Sequence, residues 1–212
     1  MFRAGNFASP AKPAAKSPAS CDTALMAKQY WLMKSEPDAF GIDDLQRVKR
    51  EPWTGVRNFQ ARNYMRDGMK VGDDVLFYHS NATPPGVAGL ACITTTGVVD
   101  ATQFDPESPY YDPKATHAAP TWICVEVEFV AKFAAIIALD ELRDDPRLAD
   151  ILVTRRGSRL SVQPVSAPHY KVIVEMATAK PSAHANAGQP PVKSTTKGKP
   201  AARKPAATKG LR

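Results

Sequence analysis

Residues 53–63 (WTGVRNFQARN) bring together the side chains best suited to holding a flat, polar ligand. Trp53 and Phe59 supply aromatic faces. Arg57 and Arg62 supply planar guanidinium forks, and Asn58, Gln60 and Asn63 supply carboxamides. A nucleobase needs that combination, because its ring stacks and its edge takes paired hydrogen bonds. Gly41 and Pro52 mark turns ahead of the stretch. The plainer reading is an amphipathic turn and helix whose polar groups are simply solvated, and short motifs often turn out to be no more than that.

Each candidate carries a similar pair of readings. Trp53 is expected to form a wall on which a base stacks, worth about 1–3 kcal/mol; the alternative is a core indole. Asn58 presents a donor and an acceptor side by side, the pattern that matches adenine or cytosine. Val56 suits an apolar floor. Arg57, Arg62 and Asn63 read equally as structural, since an arginine after a turn commonly pairs with a carboxylate. Lys34 and Ser35 close an apolar run just before Glu36-Pro37, where a strand end can face a cavity. Lys34 points to solvent or a phosphate, and Ser35 to a ligand or its own turn. Tyr78, His79 and Ser80 end another such run. Strand alternation puts Tyr78 and Ser80 on one face and His79 on the other, which works against a His79–Ser80 nucleophile pair. Arg159 and Ser161, expected on the last strand, bond a ligand or seal the sheet. Tyr110, Tyr111 and Asp112 lie in a long proline-rich loop suited to a lid. Trp31 and Trp122 sit in mid-strand and are expected in the core.

The elements that must position these residues are short. Residues 30–34 (YWLMK) read as a first strand, stopped by Pro37. Ile42, Leu45 and Val48 are spaced by three, as on a short amphipathic helix. Residues 59–66 resemble a second helix ending near Gly68. A strand starts at Asp74, residues 84–86 (PPG) turn the chain, and residues 87–99 form a strand with a bulge near Gly97. Residues 102–120 form an ordered loop, and residues 122–133 a strand with one polar face. Residues 139–152 suggest two short helices broken at Pro146, residues 159–165 a last strand, and residues 167–176 either helix or strand. Short strands with interspersed helices and no βαβ alternation imply an α+β domain built on a curved mixed sheet or small barrel.

Charge divides the chain of 212 residues. It carries +7 overall. Residues 177–212 hold eight cations and no acid, and residues 1–29 carry +3, which leaves −4 for residues 30–176. The basic pI of 9.4 therefore belongs to the ends of the chain. Both ends are rich in Ala, Pro, Ser, Thr and Lys and are expected to be disordered, as a leader and a basic tail around a single domain over 30–176. Met26 favours an unstructured leader, or translation that begins there. If all eight tail cations met phosphates of duplex DNA, log K against log[salt] would slope at about −7. Cys21, Cys92 and Cys124 are too few and too scattered for a zinc site or a disulfide framework. No apolar run approaches the ~20 residues a membrane span needs. The expected location is cytoplasmic, with nucleoid association in a bacterium or nuclear placement in a eukaryote.

Taken in order, several segments resemble the EVE domain family. They are residues 30–37 (YWLMKSEP), 53–63 (WTGVRNFQARN), 77–81 (FYHSN), 86–91 (GVAGLA), 102–114 (TQFDPESPYYDPK), 139–143 (LDELR) and 157–165 (GSRLSVQPV). They fall across nearly all of residues 30–176. The resemblance implies a PUA-like fold, a pseudo-barrel of about five to six strands with short surrounding helices, as in YTH and ASCH domains. It also implies a reader of modified nucleobases rather than an enzyme, with Tyr78 and Ser80 among the pocket walls. The chain departs from the family pattern at Val98-Val99-Asp100, where Tyr-Pro-Asp is usual, and at His169-Tyr170, where a tryptophan is usual. Both are expected to lie away from the central motifs and to alter packing only.

The function expected is a non-enzymatic binding module. Its cavity takes a modified base of DNA or RNA, flipped out or single-stranded, and the tail adds non-specific backbone affinity. The set expected to line the cavity is Lys34, Ser35, Trp53, Val56, Asn58, Arg62, Tyr78, His79, Ser80, Arg159 and Ser161. No cofactor, metal or membrane partner is expected, and the chain is expected to be a monomer. Two alternatives stand: a chromatin or nucleoid protein that binds through its tail, and an enzyme acting on nucleic acid. The second is disfavoured by four scattered histidines.

Overall fold

A computed structural model describes residues 28–179. The expectations for the leader and tail lie outside those residues, apart from 28–29 and 177–179. Six strands form one open mixed sheet in the order β2-β5-β4-β3-β1-β6. They are β1 (Tyr30–Ser35), β2 (Arg50–Pro52), β3 (Asp74–His79), β4 (Gly86–Val99), β5 (Ile123–Ala138) and β6 (Val162–Val165). β1 runs parallel to β3 and the other pairings are antiparallel. The architecture is the α+β mixed sheet expected, with its two outer strands, β2 and β6, unpaired with each other.

The central strands are buried on both faces, which is why they read as nearly continuous apolar runs. Along β1, Trp31 and Met33 enter one core cluster while Leu32 enters the other. Along β3, Val75 and Phe77 part from Leu76 and Tyr78 in the same way. On the first face, α2 (Ile42–Val48) drops Ile42 and Leu45 onto the sheet. The helix is held at its start by Asp44, whose carboxylate accepts from the Gly41 amide at 3.0 Å. On the second face α4 (Leu139–Asp144) brings Leu142, and α5 (Ala167–Ala179) brings Ile173. Residues 167–176, compatible with either state in the sequence, are helical, and Tyr170 packs on Tyr30 with ring centroids 4.4 Å apart.

Other departures from expectation have local causes. The helix expected over 59–66 is a five-residue α3 (Phe59–Asn63) followed by a widened π turn, Tyr64–Gly68. The Met69 amide reaches back to the Tyr64 carbonyl at 2.9 Å to close that turn. The fifth strand runs on to Ala138, five residues past expectation. Four register shifts between β4 and β5 curl the pair far enough to keep it hydrogen-bonded along this length. One shift spans Thr95 and Val98, beside Gly97 at φ +72°, the bulge the sequence suggested. The strand expected from residue 159 starts at Val162, so Arg159 and Ser161 lie on the loop before it. Short elements that escaped the sequence reading are α1 (Pro37–Phe40), β2 and a 3-10 turn over Ala101–Phe104.

Candidate functional site

The stretch 53–57 is tied down by one buried carboxylate. Asp100, 2% exposed, follows β4 and accepts four hydrogen bonds. They come from the Gly55 amide (2.9 Å), Arg57 Nη1 (2.7 Å), the Thr102 amide (2.9 Å) and the Thr102 hydroxyl (2.6 Å). Arg57 extends the network by donating to the Tyr110 carbonyl at 2.7 Å and to Thr102 Oγ1 at 2.9 Å. Its guanidinium also lies 5.5 Å from the centroid of the Tyr110 ring. Gln103, fully buried, stitches the same loop by donating to the Asp100 and Trp122 carbonyls and accepting from the Thr121 and Trp122 amides. Gly55 has φ +79°, and a methyl group there would meet the Tyr110 ring at 2.9 Å, so only glycine lets that ring close over the turn. Asp100, placed by the sequence reading away from the central motifs, is thus the post to which the motif is fastened.

This network shapes one side of a cavity of about 690 Å³, within the range typical of small-molecule sites. Its walls come from strand ends and turns. Lys34 and Ser35 close β1, Ala39 and Phe40 belong to α1, and Glu51 and Pro52 to β2. Residues 53–57, Ser80 and Tyr110 form another side, and Ser158, Arg159 and Ser161 complete it. Lys34 is locked in place: Nζ donates to the Ser158 carbonyl at 3.1 Å, and its amide donates to the Ser161 carbonyl at 2.8 Å. Burial lowers the ammonium pKa from its ordinary value. Ser35 donates its hydroxyl to the Phe40 carbonyl at 2.7 Å and accepts the Ser80 amide on its own carbonyl at 2.8 Å.

Seven of the eleven expected residues therefore meet around one cavity: Lys34, Ser35, Trp53, Val56, Ser80, Arg159 and Ser161. Trp53 is a core indole that also reaches the cavity. It is 7% exposed and packs edge-on against Phe77 at 5.3 Å, yet it also lines the cavity. The other four are placed elsewhere. Asn58 caps α3, its Oδ1 accepting from the Ala61 amide at 3.1 Å, the role asparagine plays before a helix. Arg62 stacks over Phe59 and Trp122 and donates to Asn63 Oδ1 and the Thr121 carbonyl. Tyr78 is 4% exposed in the core of the second sheet face, with Lys34 Nζ 5.7 Å from its ring centre.

His79, 8% exposed, accepts the Ile42 amide on Nε2 at 3.1 Å and so caps the start of α2. That bond requires the neutral ring, with its proton on Nδ1. Burial pushes the His79 pKa down from its ordinary 6.5. The unfolded chain therefore takes up the proton first. His79 contributes stability that is fully present above about pH 6.5 and falls away as the pH drops toward the lower folded value. Between pH 7 and 5, thermal unfolding should lose more stability in the wild type than in His79→Gln. Parallel pH profiles would remove the histidine from this account.

The sequence reading missed several lining groups. Glu51 is half-buried on the cavity side, and its carboxylate has no hydrogen-bond or ion-pair partner among the described residues. Phe40 and Thr54 also line the cavity; Tyr110, named in the sequence as part of a lid, is 43% exposed and stands at its rim. Glu51 and Phe40 had no signal in the sequence, while Thr54 lies within the 53–63 stretch. Among the described residues no group of three or more His, Cys, Asp or Glu side chains is placed to hold a metal ion. Burial drives the Cys124 thiol up to about 12, which makes it an inert core group. No helix among the described residues is long and apolar enough to cross a membrane.

Thymocyte nuclear protein 1 of Rattus norvegicus is 39% identical over 173 residues, covering 72% of this chain and 75% of its own length. The Homo sapiens protein of the same name is 37% identical over 173 residues, covering 72% and 76%. Among solved structures, a hypothetical protein from Leishmania major superposes with a TM-score of 0.68 at 50% identity, covering 72% of this chain and 96% of that one. Human THYN1 protein in complex with 5-methylcytosine-containing DNA superposes with a TM-score of 0.68 at 35% identity, covering 73% and 100%. The EVE domain family model matches residues 29–176, the whole of the sheet and nearly all of the helices around it, and the chain belongs to the EVE domain family.

Proposed function

We propose that this protein is a non-enzymatic DNA-binding module whose cavity receives a single modified cytosine, flipped from the duplex or already single-stranded. The observation that carries the reading is the composition of the cavity wall. Phe40, Tyr110 and the accessible part of Trp53 offer aromatic surface, Val56 an apolar patch, and Glu51 an unpartnered carboxylate. A carboxylate accepts from the exocyclic amine of cytosine, and aromatic surface beside it accommodates a 5-methyl group. The solved complex of human THYN1 protein with 5-methylcytosine-containing DNA supports the same ligand class. A binding module suits the described residues better than an enzyme does. His79 is engaged as a helix cap, and Lys34 and Ser35 are held in hydrogen bonds that fix their geometry.

The energetics set what to expect. Burying one methyl contributes about 0.8 kcal/mol, near fourfold in affinity. Recognition of cytosine itself must therefore come from the base edge, where Glu51 stands. Flipping costs a few kcal/mol, which stacking and backbone contacts offset. The compartment proposed is that of the DNA, the nucleus in a eukaryotic cell or the nucleoid in a bacterial one.

The test is binding of the full chain to matched single-stranded oligonucleotides at fixed salt. Each carries one cytosine, 5-methylcytosine, 5-hydroxymethylcytosine, adenine or N6-methyladenine. A preference for the 5-substituted cytosines is expected, and Glu51→Ala, which removes the acceptor, should erase the preference for cytosine-type bases at a cost of about 1–3 kcal/mol. Equal affinity for all five oligonucleotides would sink the proposal.

A further inference from the structure

The described residues contain ten arginines, and seven of them are engaged. Arg47, Arg50, Arg57, Arg66, Arg143 and Arg147 pair with carboxylates, and Arg62 donates to Asn63 and the Thr121 carbonyl. The three whose guanidinium groups have no hydrogen bond or ion pair within the described residues are Arg155, Arg156 and Arg159. They stand together in the five-residue stretch RRGSR before β6, and all three are exposed. Residues 151–174 contain no acid at all, although the domain as a whole is acidic.

The stretch is not a loose loop. Gln163, 1% exposed, donates through Nε2 to Ser158 Oγ at 2.9 Å and to the Leu160 carbonyl at 2.8 Å. Lys34 grips the Ser158 carbonyl from the cavity side. Gly157 makes the turn at φ +79°, with nothing within 4 Å of the position a methyl would take. The result is a fixed base that presents three free guanidinium groups outward. The stretch also borders two depressions at once. Arg159 lines the cavity, while Arg155 and Arg156 line an adjoining groove of about 270 Å³ whose other wall holds Gln60, Tyr64 and Leu152. Ser158 belongs to both.

We propose that Arg155, Arg156 and Arg159 form a phosphate clamp. They hold the DNA backbone immediately beside the base that occupies the cavity, and the neighbouring nucleotide follows the groove past Tyr64. The proposal rests on the reading of the cavity as a base site. Its physical grounds are charge complementarity, the fork geometry by which arginine grips phosphate, and the shared wall that sets backbone contact next to base contact. The clamp supplies affinity and register without sequence information. It also localises, on an acidic domain, a contact that the basic tail cannot direct.

The experiment compares full-length wild type with Arg155→Gln/Arg156→Gln, using single-stranded oligonucleotides with one central cytosine or 5-methylcytosine across a salt series. Each phosphate contact on a single strand contributes about −0.7 to the slope of log K against log[salt], so the double variant should lose about 1.4 of slope magnitude. Its ratio of affinities for the two oligonucleotides should stay unchanged. Arg155→Lys/Arg156→Lys should keep the slope, and Arg147→Gln/Lys171→Gln, which removes as much charge elsewhere, should leave it as in the wild type. Thermal unfolding of each variant checks that the fold is retained. An unaltered slope in Arg155→Gln/Arg156→Gln, or an equal loss in Arg147→Gln/Lys171→Gln, overturns the clamp. If no protein distinguishes the two oligonucleotides while the slope is still lost, the clamp stands and the cavity reading falls.

Discussion

Asp100→Ala is expected to lower the melting temperature by on the order of 10 °C and to abolish the proposed base-selective binding. Removing one partner of a buried ion pair typically costs about 3–5 kcal/mol, and in a domain of this size each kcal/mol moves the midpoint by about 2–4 °C. The loss reaches the cavity because Asp100 holds the Gly55 amide, Arg57 and Thr102 together. Without it Arg57 loses its carboxylate, and Tyr110, hung from Arg57, loses its fixed position over the turn. Burial alone would raise the Asp100 pKa, but the hydrogen bonds from Arg57, Thr102 and Gly55 outweigh it and hold the carboxyl below its ordinary value. The stability this provides is present above the unfolded value of about 3.9 and is lost as pH falls through the lower folded one. Unfolding curves at neutral and acid pH check the prediction. A melting point within about a degree of wild type at neutral pH would refute the role of Asp100 as the anchor.

Trp53→Ala should cost about 3–5 kcal/mol of stability, as large-to-small substitutions of buried aromatic residues do. The indole is nearly enclosed and packs on Phe77, so most of the loss comes from the cavity left in the core. On the proposed reading its contribution to a bound base is smaller, about 1–3 kcal/mol by analogy with other stacking residues. Trp53→Phe separates the two effects. It keeps an aromatic edge against Phe77 while reducing the surface shown to the ligand, so it should weaken oligonucleotide binding more than it lowers the melting point. Binding by Trp53→Phe as tight as in the wild type would remove Trp53 from the proposed stacking surface.

The strands of the sheet centre were legible because both of their faces are buried, and continuous apolar runs such as YWLMK and DVLFYH leave little other choice. The three residues of β2 were not. Arg50, Glu51 and Pro52 carry no apolar pattern, and only pairing with distant β5 makes them a strand. Glu51 was missed for that reason. The readings of Asn58 and His79 failed in another way. A side chain that bonds a helix amide and one that bonds a base edge are the same residue type at the same kind of turn. Only the position of the following helix tells them apart, Ala61 in one case and Ile42 in the other. Tyr78 and His79 do fall on opposite sides of β3, as alternation requires, but neither side at that point is the cavity. Lys34, Ser35 and Ser80 were found because strand ends are recognisable from sequence, and strand ends are where this cavity lies.

The two outermost strands each contain a proline, and its direction has a consequence for how copies of the protein meet. The Trp53 amide bonds the Val125 carbonyl, which makes Glu51–Val127 a bonded pair and Pro52–Glu126 a non-bonded one. The Lys34 amide bonds the Ser161 carbonyl, which by the same count leaves Trp31–Pro164 non-bonded. In an antiparallel ladder the nitrogen of a non-bonded residue faces away from its partner. Pro52 and Pro164 therefore sit where an outward amide would otherwise invite another chain, and neither has one to offer. The sheet is blunted at both margins against strand-by-strand growth, a safeguard against aggregation in a protein that leaves its sheet open.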